Sequence, residues 1–528
     1  MKTRTLLTIL VICVTAALTW SIMAAQRPSN PQPEKALIDE LVLANRMLSS
    51  PELGVLDAFG HVSVRSRTNP NHFYISRYVA PGIVTAADII ENDLDSKPVN
   101  GARNDQYQER FLHGEIYKAR PDVMAIVHSH TPELVAFGVS SVRLRSGDDN
   151  VPIYDIRKFN NGRSGILDTP VLAKSMAQAL GKSDEILLLG HGAVMVSSSI
   201  YGVVSGANSL RGAAQVQQQL ISMGGTFDSN PRRVAPNAPP APPRAPVVPS
   251  GTGGGSGGDR AWEYWKQMVT PLIAGPNSLP RAAARRAGQS EEQEAITNLV
   301  IANRVLSSRE LGILGATGHV SVRSPRNPNH YYISRYVSAG VVKASDIIEN
   351  DLDSKPVAGP RSDEYQEVYM HGEIYKARPD VMAVLHAHTQ EIVAFTESSV
   401  ALRPVVNGGV FIGDGLPMHD IRKFDPREGI IRTAALGKTV ADALGKKPGV
   451  LLKGHGIALT GSSLQDLASR AYNLRMNARI QQQAIALRGN INYLDGQPPA
   501  AESGSRSAAA DSGYNRAWEY WKQIIPVN

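Results

Sequence analysis

The sequence is poor in cysteine: its 528 residues include one, Cys13, which lies in an apolar segment near the N-terminus. The rest of the chain therefore has no thiol group, so disulfide bonds and thiolate metal sites are excluded there. A metal ion bound beyond that segment would have to be held by histidine, aspartate or glutamate side chains.

The sequence also lacks a concentrated charge of one sign. The formal net charge of +7 is modest for this length, and we find neither a dense basic stripe nor a recognisable nucleic-acid-binding motif. Nucleic acid is therefore not expected as a partner. Hydrophobic residues make up 42% and charged residues 20% of the chain, which is typical of a globular protein and argues against wholesale disorder.

Long apolar runs are absent except at the N-terminus, over residues 6–25. Lys2 and Arg4 precede this run and Ala24-Ala25 end it, a pattern typical of an export signal. We predict that residues 1–25 are a signal peptide and that the protein is periplasmic or secreted. The alternative is an uncleaved anchor in the inner membrane, because residues 6–25 are long enough to span a bilayer. That anchor would be the only expected contact with a membrane.

The chain contains two copies of one long repeat. HGEIYKARPDVMA occupies residues 113–125 and again 371–383. The GHG tripeptides at 190–192 and 454–456 lie farther apart than these motifs, so the second copy carries a short insertion, which we place near 404–417. A repeat of this length is a duplicated domain and not the unit of a solenoid.

Composition separates the two copies. Residues 230–258 are rich in proline, alanine, glycine and serine and cannot bury enough apolar surface to fold. A related tail, RAWEYWKQ, follows each copy at 260–267 and 516–523. We predict a first domain at 33–229, a linker at 230–258, an aromatic tail and connector at 259–290, a second domain at 291–500 and a C-terminal tail at 501–528.

Within one copy, helical and strand patterns alternate. Apolar spacing and stop signals predict helices at 33–48, 106–118, 170–180 and 207–221, and strands at 61–65, 72–76, 125–130, 185–189 and 193–196. This mixture predicts an α/β fold in which helices cover a sheet.

Histidines in each copy have the spacing of a metal site. His128 and His130 are two residues apart on a predicted strand, so their side chains share one face. His191, between two glycines, is the best third ligand, and Glu109 is the candidate acid, as ligand, as base or as both. A lone His-x-His pair more often has a core role, but here the whole set recurs in the second copy as Glu367, His386, His388 and His455.

These residues resemble the class II aldolase/adducin superfamily. The resemblance rests on Glu-x-x-x-His at 109–113, on RPDVMAIVHSH at 120–130 and on the GHG tripeptide, and it spans 33–224 and 291–489. It implies a class II aldolase-like three-layer fold, with a central sheet and helices on both sides, duplicated in this chain. It also implies a divalent metal on three histidines per copy, zinc first and manganese, cobalt or iron as alternatives. Members often assemble as tetramers, which here implies a homo-oligomer with a pseudo-tetramer of domains from two chains.

The sequence departs from the members that act on sugar phosphates. Gly60-His61 stands where they have Gly-Asn in the anion-binding loop, and Tyr107-Gln108 stands where they have small hydroxyl residues. GHVSVR, YISRYV and DIIENDLD are more similar to a branch that includes decarboxylases of hydroxylated carboxylic acids. We therefore expect a non-phosphorylated substrate. Its carboxylate would be held by His61 and Arg77 in the first copy and by His319 and Arg335 in the second. The equally weighted alternative is that each arginine only fixes the conformation of its loop.

The resemblance predicts a divalent-metal-dependent carbon–carbon lyase, an aldolase or a decarboxylase, that acts on a small hydroxy-carboxylate or a sugar-like molecule. A non-catalytic scaffold, as in adducin, and a sugar epimerase with the same metal site are the alternatives. In this family the C-terminal segment can reach the site of an adjacent subunit, so we expect Tyr264 and Tyr520 of the two tails to close the mouth of a partner site.

Metal analysis separates the enzyme from the scaffold. If the histidines bind a metal, the purified, folded protein contains a divalent ion that survives desalting, which elemental analysis measures. A well-folded protein without bound metal would favour the scaffold.

Overall fold

The computed structural model of the chain describes residues 32–146, 149–160, 165–224, 290–315, 317–358, 364–425, 429–496 and 516–524. The predicted signal at 1–25, the linker at 230–258 and Tyr264 lie outside the described residues. Within the described ranges, no helix has both the length and the apolar character needed to cross a membrane.

The first copy is built around one mixed sheet. Its strands lie in the order β3-β2-β1-β4-β9-β8-β7, and neighbours are antiparallel except β7 and β8. A separate ribbon pairs β5 with β6. The elements in chain order are α1 (Gln32–Ser49), β1 (His61–Arg65), β2 (His72–Ser76), β3 (Ile89–Asp93), α2 (Arg110–Ala119), β4 (Ala125–Ser129), α3 (Pro132–Val139), β5 (Arg145–Ser146), β6 (Asp149–Asn150), β7 (Ile153–Tyr154), α4 (Pro170–Leu180), β8 (Glu185–Leu188), β9 (Gly192–Ser197) and α5 (Ile200–Ser222).

The second copy repeats this sheet in the order β12-β11-β10-β13-β16-β15-β14. Its elements are α6 (Glu291–Ser307), β10 (His319–Arg323), β11 (His330–Ser334), β12 (Ile347–Asp351), α7 (Val368–Ala377), β13 (Ala383–Ala387), α8 (Gln390–Glu397), β14 (Met418–His419), α9 (Ala434–Leu444), β15 (Gly449–Leu452), β16 (Gly456–Gly461) and α10 (Leu464–Ala486), followed by the C-terminal helix α11 (Arg516–Ile524). Short 3-10 turns join several of these elements, and one of them, Asn407–Ile412, lies in the predicted insertion.

Helices cover both faces of each sheet because alternate strand residues point in opposite directions. In the first copy, Val127 of β4 packs in a core with α1, α3 and α5, whereas the preceding Ile126 packs in another core with α2 and α4. The predicted three-layer α/β fold, duplicated, is therefore confirmed.

Most predicted element bounds agree with the structure to within a residue or two. The helix at 170–180 ends at Gly181, whose φ of 55° lies in the left-handed region that favours glycine.

Two helices begin at residues other than the predicted ones. The helix predicted at 106–118 begins at Arg110, with Glu109 as its N-cap residue. The helix predicted from residue 207 begins at Ile200, because the Ser199 side chain accepts a hydrogen bond from the Gly202 amide and caps it earlier.

The two copies pack directly against each other. Val135 and Val139 of α3 share a buried apolar cluster with Ile480 and Ala484 of α10. The C-terminal helix lies across the junction, because Trp518 and Trp521 belong to a core that includes Ala58 of the first copy and residues of the second. The chain is thus folded as a pair of copies with an extensive shared interface.

Two glycines in helices of the first copy make a stability test. A Cβ on Gly114 would lie 2.5 Å from the Leu94 carbonyl oxygen, whereas a Cβ on Gly206 would meet nothing within 4 Å. We expect Gly114→Ala to destabilise the protein by about 1–3 kcal/mol through overpacking. Gly206→Ala should stabilise it by about 0.5–1 kcal/mol, because alanine loses less backbone entropy in a helix. Urea unfolding midpoints measure both, and shifts in the same direction would contradict this packing.

Candidate metal centre and active site

The central strand β4 places the first histidine of the cluster. The Nδ1 of His128 is 3.1 Å from the Ala193 carbonyl oxygen on β9. A carbonyl only accepts hydrogen bonds, so this contact assigns the ring proton to Nδ1 and leaves a lone pair on Nε2. That Nε2 atom is buried and has no hydrogen-bond partner.

Three further groups surround this nitrogen. One ligand atom from each of Glu109, His128, His130 and His191 lies within 4.8 Å of the other three. His130 follows the end of β4, and its ring centroid is 4.7 Å from that of His128. His191 lies in the turn between β8 and β9. The sequence had grouped these residues by spacing, and the fold brings all of them together.

The GHG tripeptide has this form for steric reasons. Gly190 has a φ of 67°, which a residue with a Cβ rarely adopts. A Cβ on Gly192 would lie 2.2 Å from the Ser129 carbonyl oxygen. The two glycines therefore allow the turn to approach β4 closely enough to bring His191 beside His128.

Glu109 supplies the acidic group from the start of α2. Its Oε2 is 3.4 Å from His128 Nε2 and its Oε1 is 3.4 Å from His191 Nε2. Its Oε1 also accepts a hydrogen bond of 3.1 Å from the Leu167 amide. Burial alone would raise the pKa of Glu109, but His191 and His128 beside it lower that pKa well below its usual range.

The pKa of the His191 ring is also lowered, which for a histidine favours the uncharged form. Burial lowers the pKa of His191 to about 3, so at neutral pH the imidazole is uncharged and can donate a lone pair. Imidazole nitrogens and a carboxylate, turned toward one another around an unpartnered buried nitrogen, are the donor set that suits zinc and similar divalent cations. The residues present therefore fit a divalent metal ion.

The second copy repeats this arrangement. Glu367, His386, His388 and His455 bring ligand atoms within 4.8 Å of one another. His386 Nδ1 contacts the Ile457 carbonyl oxygen at 3.0 Å, and its Nε2 is again buried without a partner. Glu367 Oε2 is 3.2 Å from His386 Nε2 and 3.7 Å from His455 Nε2.

The two copies differ in the group behind the second histidine. In the first copy, Asp57 Oδ1 lies 3.1 Å from His130 Nδ1 and also accepts hydrogen bonds from the Phe59 and Gly60 amides. Burial would raise the pKa of Asp57, but His130 lowers it to about 2, so this group is a carboxylate. Gly315 occupies the matching position in the second copy, and the neutral Thr317 hydroxyl contacts His388 Nδ1 instead.

A cavity of about 330 Å³ opens beside the cluster of the first copy. Its wall combines residues of both copies. The first copy contributes Asp57, Phe59, His61, Tyr78, Tyr107, Gln108, Glu109, His130, Ile166 and His191, and the second contributes Val406, Asn407, Gly408, Tyr472, Asn473, Met476, Ile480 and Arg516.

The insertion predicted near 404–417 is part of this wall. The Asn407 amide donates to the Gly190 carbonyl oxygen at 2.8 Å, which holds the inserted segment against the GHG turn of the other copy. Sequence reasoning missed every cavity residue of the second copy. Two features of the sequence could have pointed to these residues: the insertion, which occurs in one copy only, and the repeated aromatic tail.

The four predicted substrate residues fall into two groups. His61 lines the cavity, and its Nδ1 is 2.8 Å from His113 Nε2; His319 makes the same contact with His371.

The two arginines form hydrogen-bonded ion pairs with aspartates of their own copies. Arg77 Nε donates to Asp88 at 2.6 Å, Arg335 Nε donates to Asp346 at 2.8 Å, and Arg77 is absent from the cavity wall. The loop-fixing alternative agrees with these contacts, so we do not assign these arginines to a substrate.

The C-terminal tail does reach the site of the other copy, but through a different residue from the expected one. Tyr520 packs against Gly82 and is not part of the cavity wall, whereas Arg516 at the start of α11 lines the cavity.

Comparisons with known proteins agree with this architecture. The family model described as Class II Aldolase and Adducin N-terminal domain matches residues 39–218 and 297–482. The decarboxylase tropJ of Talaromyces stipitatus is 30% identical over 233 residues, which cover 40% of this chain and 88% of the relative. A 3,4-dihydroxyphthalate decarboxylase of Arthrobacter keyseri is 30% identical over 202 residues, which cover 37% of this chain and 81% of the relative.

The chain is also similar to a solved structure, that of an aldolase II superfamily protein from Pseudomonas syringae. The identity is 22%, the match covers 44% of this chain and 94% of the other chain, and the TM-score is 0.37.

The Asp57 contact makes a testable difference between the copies. In a His388→Ala background, which leaves the first cluster intact, we expect Asp57→Asn to weaken zinc binding about 10- to 100-fold, the usual effect of losing an outer partner of a ligating histidine. The matched control, Thr317→Val in a His130→Ala background, should change zinc affinity less. Competition with a chelating dye measures both, and equal effects would contradict the asymmetry.

Proposed function

Because the chain belongs to the class II aldolase/adducin family, we propose that it is a divalent-metal-dependent carbon–carbon lyase. The observation that carries the proposal is the buried, unpartnered Nε2 of His128, which faces a carboxylate and two further imidazoles. A scaffold has no need to bury a polar atom without a partner, because such burial costs stability. The same arrangement in the second copy supports the enzyme over the scaffold.

Within this class, decarboxylation of a small hydroxy-carboxylate is the reaction that we propose. The tropJ and dihydroxyphthalate relatives, both 30% identical and covered over most of their length, are named as decarboxylases. The cavity wall is rich in aromatic and aliphatic side chains, among them Phe59, Tyr107 and Ile480. A phosphorylated sugar would need a cluster of hydroxyl and cationic donors, whereas Arg516 is the single arginine or lysine of this wall.

The metal ion would be held by His128, His130, His191 and Glu109. We propose zinc, with manganese, cobalt or iron as alternatives, because the donors are nitrogen and oxygen atoms only. When bound, a divalent cation acts as a Lewis acid that stabilises the negative charge that develops on substrate oxygen as the carbon–carbon bond breaks.

The protein residues position the substrate and move the proton. As carbon dioxide leaves, its bonding electron pair stays on the substrate carbon, which must then receive a proton. Glu109 is the proposed carrier: ionised at neutral pH, it accepts a proton from a substrate hydroxyl and returns one to that carbon.

His61, whose ring centroid is 5.2 Å from that of His128, is proposed to orient the substrate. Its Nδ1 is held by His113, whose own Nδ1 is 2.6 Å from the Ser63 hydroxyl, so the ring cannot rotate freely. Its remaining nitrogen, Nε2, is then the atom available for a hydrogen bond to substrate. The aromatic wall excludes water from the reacting carbon.

We propose that the first copy carries most of the activity. The second copy, the insertion and α11 all contribute to its cavity, and the His191 side chain is 6% exposed against 20% for His455 in the second copy. Among the described residues, the first cluster is thus the more enclosed, and enclosure strengthens electrostatic catalysis.

The test is a substrate panel for the protein loaded with zinc, manganese or cobalt. Ortho-hydroxylated aromatic carboxylates, aliphatic hydroxy-carboxylates and sugar phosphates are supplied, and carbon dioxide and aldehyde release are measured. We expect carbon dioxide from a hydroxy-carboxylate and no aldehyde from sugar phosphates. Aldehyde release from a sugar phosphate alone would contradict the decarboxylase assignment.

Matched variants locate the activity. His128→Ala should lower kcat/KM at least about 100-fold, the scale expected when charge stabilisation in the transition state is lost. His386→Ala makes the same change in the second copy and should retain most of the activity. Thermal unfolding of both variants controls for folding. Equal losses would contradict the leading role of the first copy.

A further inference from the structure

The guanidinium of Arg516 is buried at the wall of the first cavity without a carboxylate partner. The residue is 4% exposed. Its Nη2 donates to the Phe59 carbonyl oxygen at 2.9 Å, whereas its Nε and Nη1 have no hydrogen-bond partner. No carboxylate in the described part of the chain forms an ion pair with it.

Aromatic rings hold this cation in place. The Cζ atom of Arg516 lies 4.4 Å from the ring centroid of Tyr78, 4.8 Å from that of Tyr107 and 5.2 Å from that of Phe59. Such contacts favour a cation over a ring face, but they do not satisfy its N–H donors. The Tyr107 hydroxyl donates its proton to the Val79 carbonyl oxygen, and its oxygen interacts with the guanidinium.

The two buried donors of this cation, Nε and Nη1, call for an acceptor, because a buried donor without one costs stability. The Asp57 carboxylate interacts with Arg516 electrostatically but forms no ion pair with it, and the planar set of guanidinium donors matches the two oxygens of a bound carboxylate. Arg516 lines the same cavity as Glu109, His130 and His191, so a carboxylate bound there can reach these donors.

We propose that Arg516, supplied by the C-terminal helix after the second copy, binds a substrate carboxylate in the site of the first copy. This inference rests on the proposed function and adds a substrate-specificity residue to it. The helix is held in place for this role, because Trp521, 1% exposed, packs in the shared core and contacts Tyr472 with tilted rings whose centroids are 5.4 Å apart.

The chemistry of decarboxylation specifies which carboxylate is bound. The departing carboxylate loses its charge as it becomes carbon dioxide, so a strong ion pair with it would stabilise the ground state more than the transition state and slow the reaction. Arg516 therefore binds a second carboxylate, one that the product retains. The substrate class is a hydroxylated dicarboxylate, with its hydroxyl at the metal cluster and its retained carboxylate at Arg516.

Binding of an unreactive pair of probes tests this assignment. 3-Hydroxybenzoate and its neutral analogue 3-hydroxybenzamide are titrated calorimetrically into the full-length protein, both with zinc and after chelation. Arg516→Gln should weaken 3-hydroxybenzoate about 10- to 100-fold, the scale of a charge-assisted hydrogen bond, and leave the benzamide within about twofold. Arg516→Lys should recover part of the benzoate affinity. Lys522→Gln, a matched loss of charge on the same helix, should change neither.

Three binding results would overturn the proposal. Equal weakening of both probes by Arg516→Gln would mean a structural role, and no weakening would mean that the guanidinium faces no ligand. Loss of affinity for phenyl phosphate or inorganic phosphate, without loss for 3-hydroxybenzoate, would make the site a phosphate site. Because binding is measured without turnover, a protein that releases no carbon dioxide but needs Arg516 for the benzoate would refute the proposed reaction and leave this assignment standing.

Discussion

The contact between the His128 Nδ1–H and the Ala193 carbonyl oxygen is the interaction on which the candidate site depends. β4 lies between β1 and β9, and His128 pairs in register with His61 and Val194. The backbone of β9 thus holds the proton on Nδ1 and directs Nε2 toward Glu109. A slip of one residue along either strand pair would turn the ring to the opposite face of the sheet. The strand register therefore fixes both the order of the sheet and the position of this candidate metal ligand.

The two copies have the same set of candidate metal ligands, one glutamate and three histidines, but different residues surround each set. Asp57 supports His130, whereas Gly315 stands at the matching position in the second copy. The insertion near Asn407 and the C-terminal helix close the first site, and both come from the second half of the chain. The second copy thus forms part of the wall of the first site.

Local patterns in the sequence were sufficient for the metal ligands and for most elements. The His-x-His pair follows strand alternation, and the glycines around His191 reflect a close approach that only glycine allows. The start of α5 was missed because it depends on a single capping side chain, that of Ser199, whereas α2 begins at Arg110 without a side-chain cap. The sequence left Arg77 open between a substrate ligand and a loop-fixing residue, because spacing alone does not reveal its contact with Asp88 across a turn. Arg516 is separated from Tyr107 by most of the chain, so only the packing of the two copies could bring it to the cavity.

The central claim is that three imidazoles and a carboxylate in each copy converge on one divalent cation. Diffraction data collected on both sides of the absorption edge of the bound metal test it most directly. The account predicts an anomalous peak within coordination distance of the Nε2 atoms of His128, His130 and His191, and a second peak at the matching histidines of the other copy. Peaks elsewhere, or rings that hold no metal in crystals grown with it, would contradict the account.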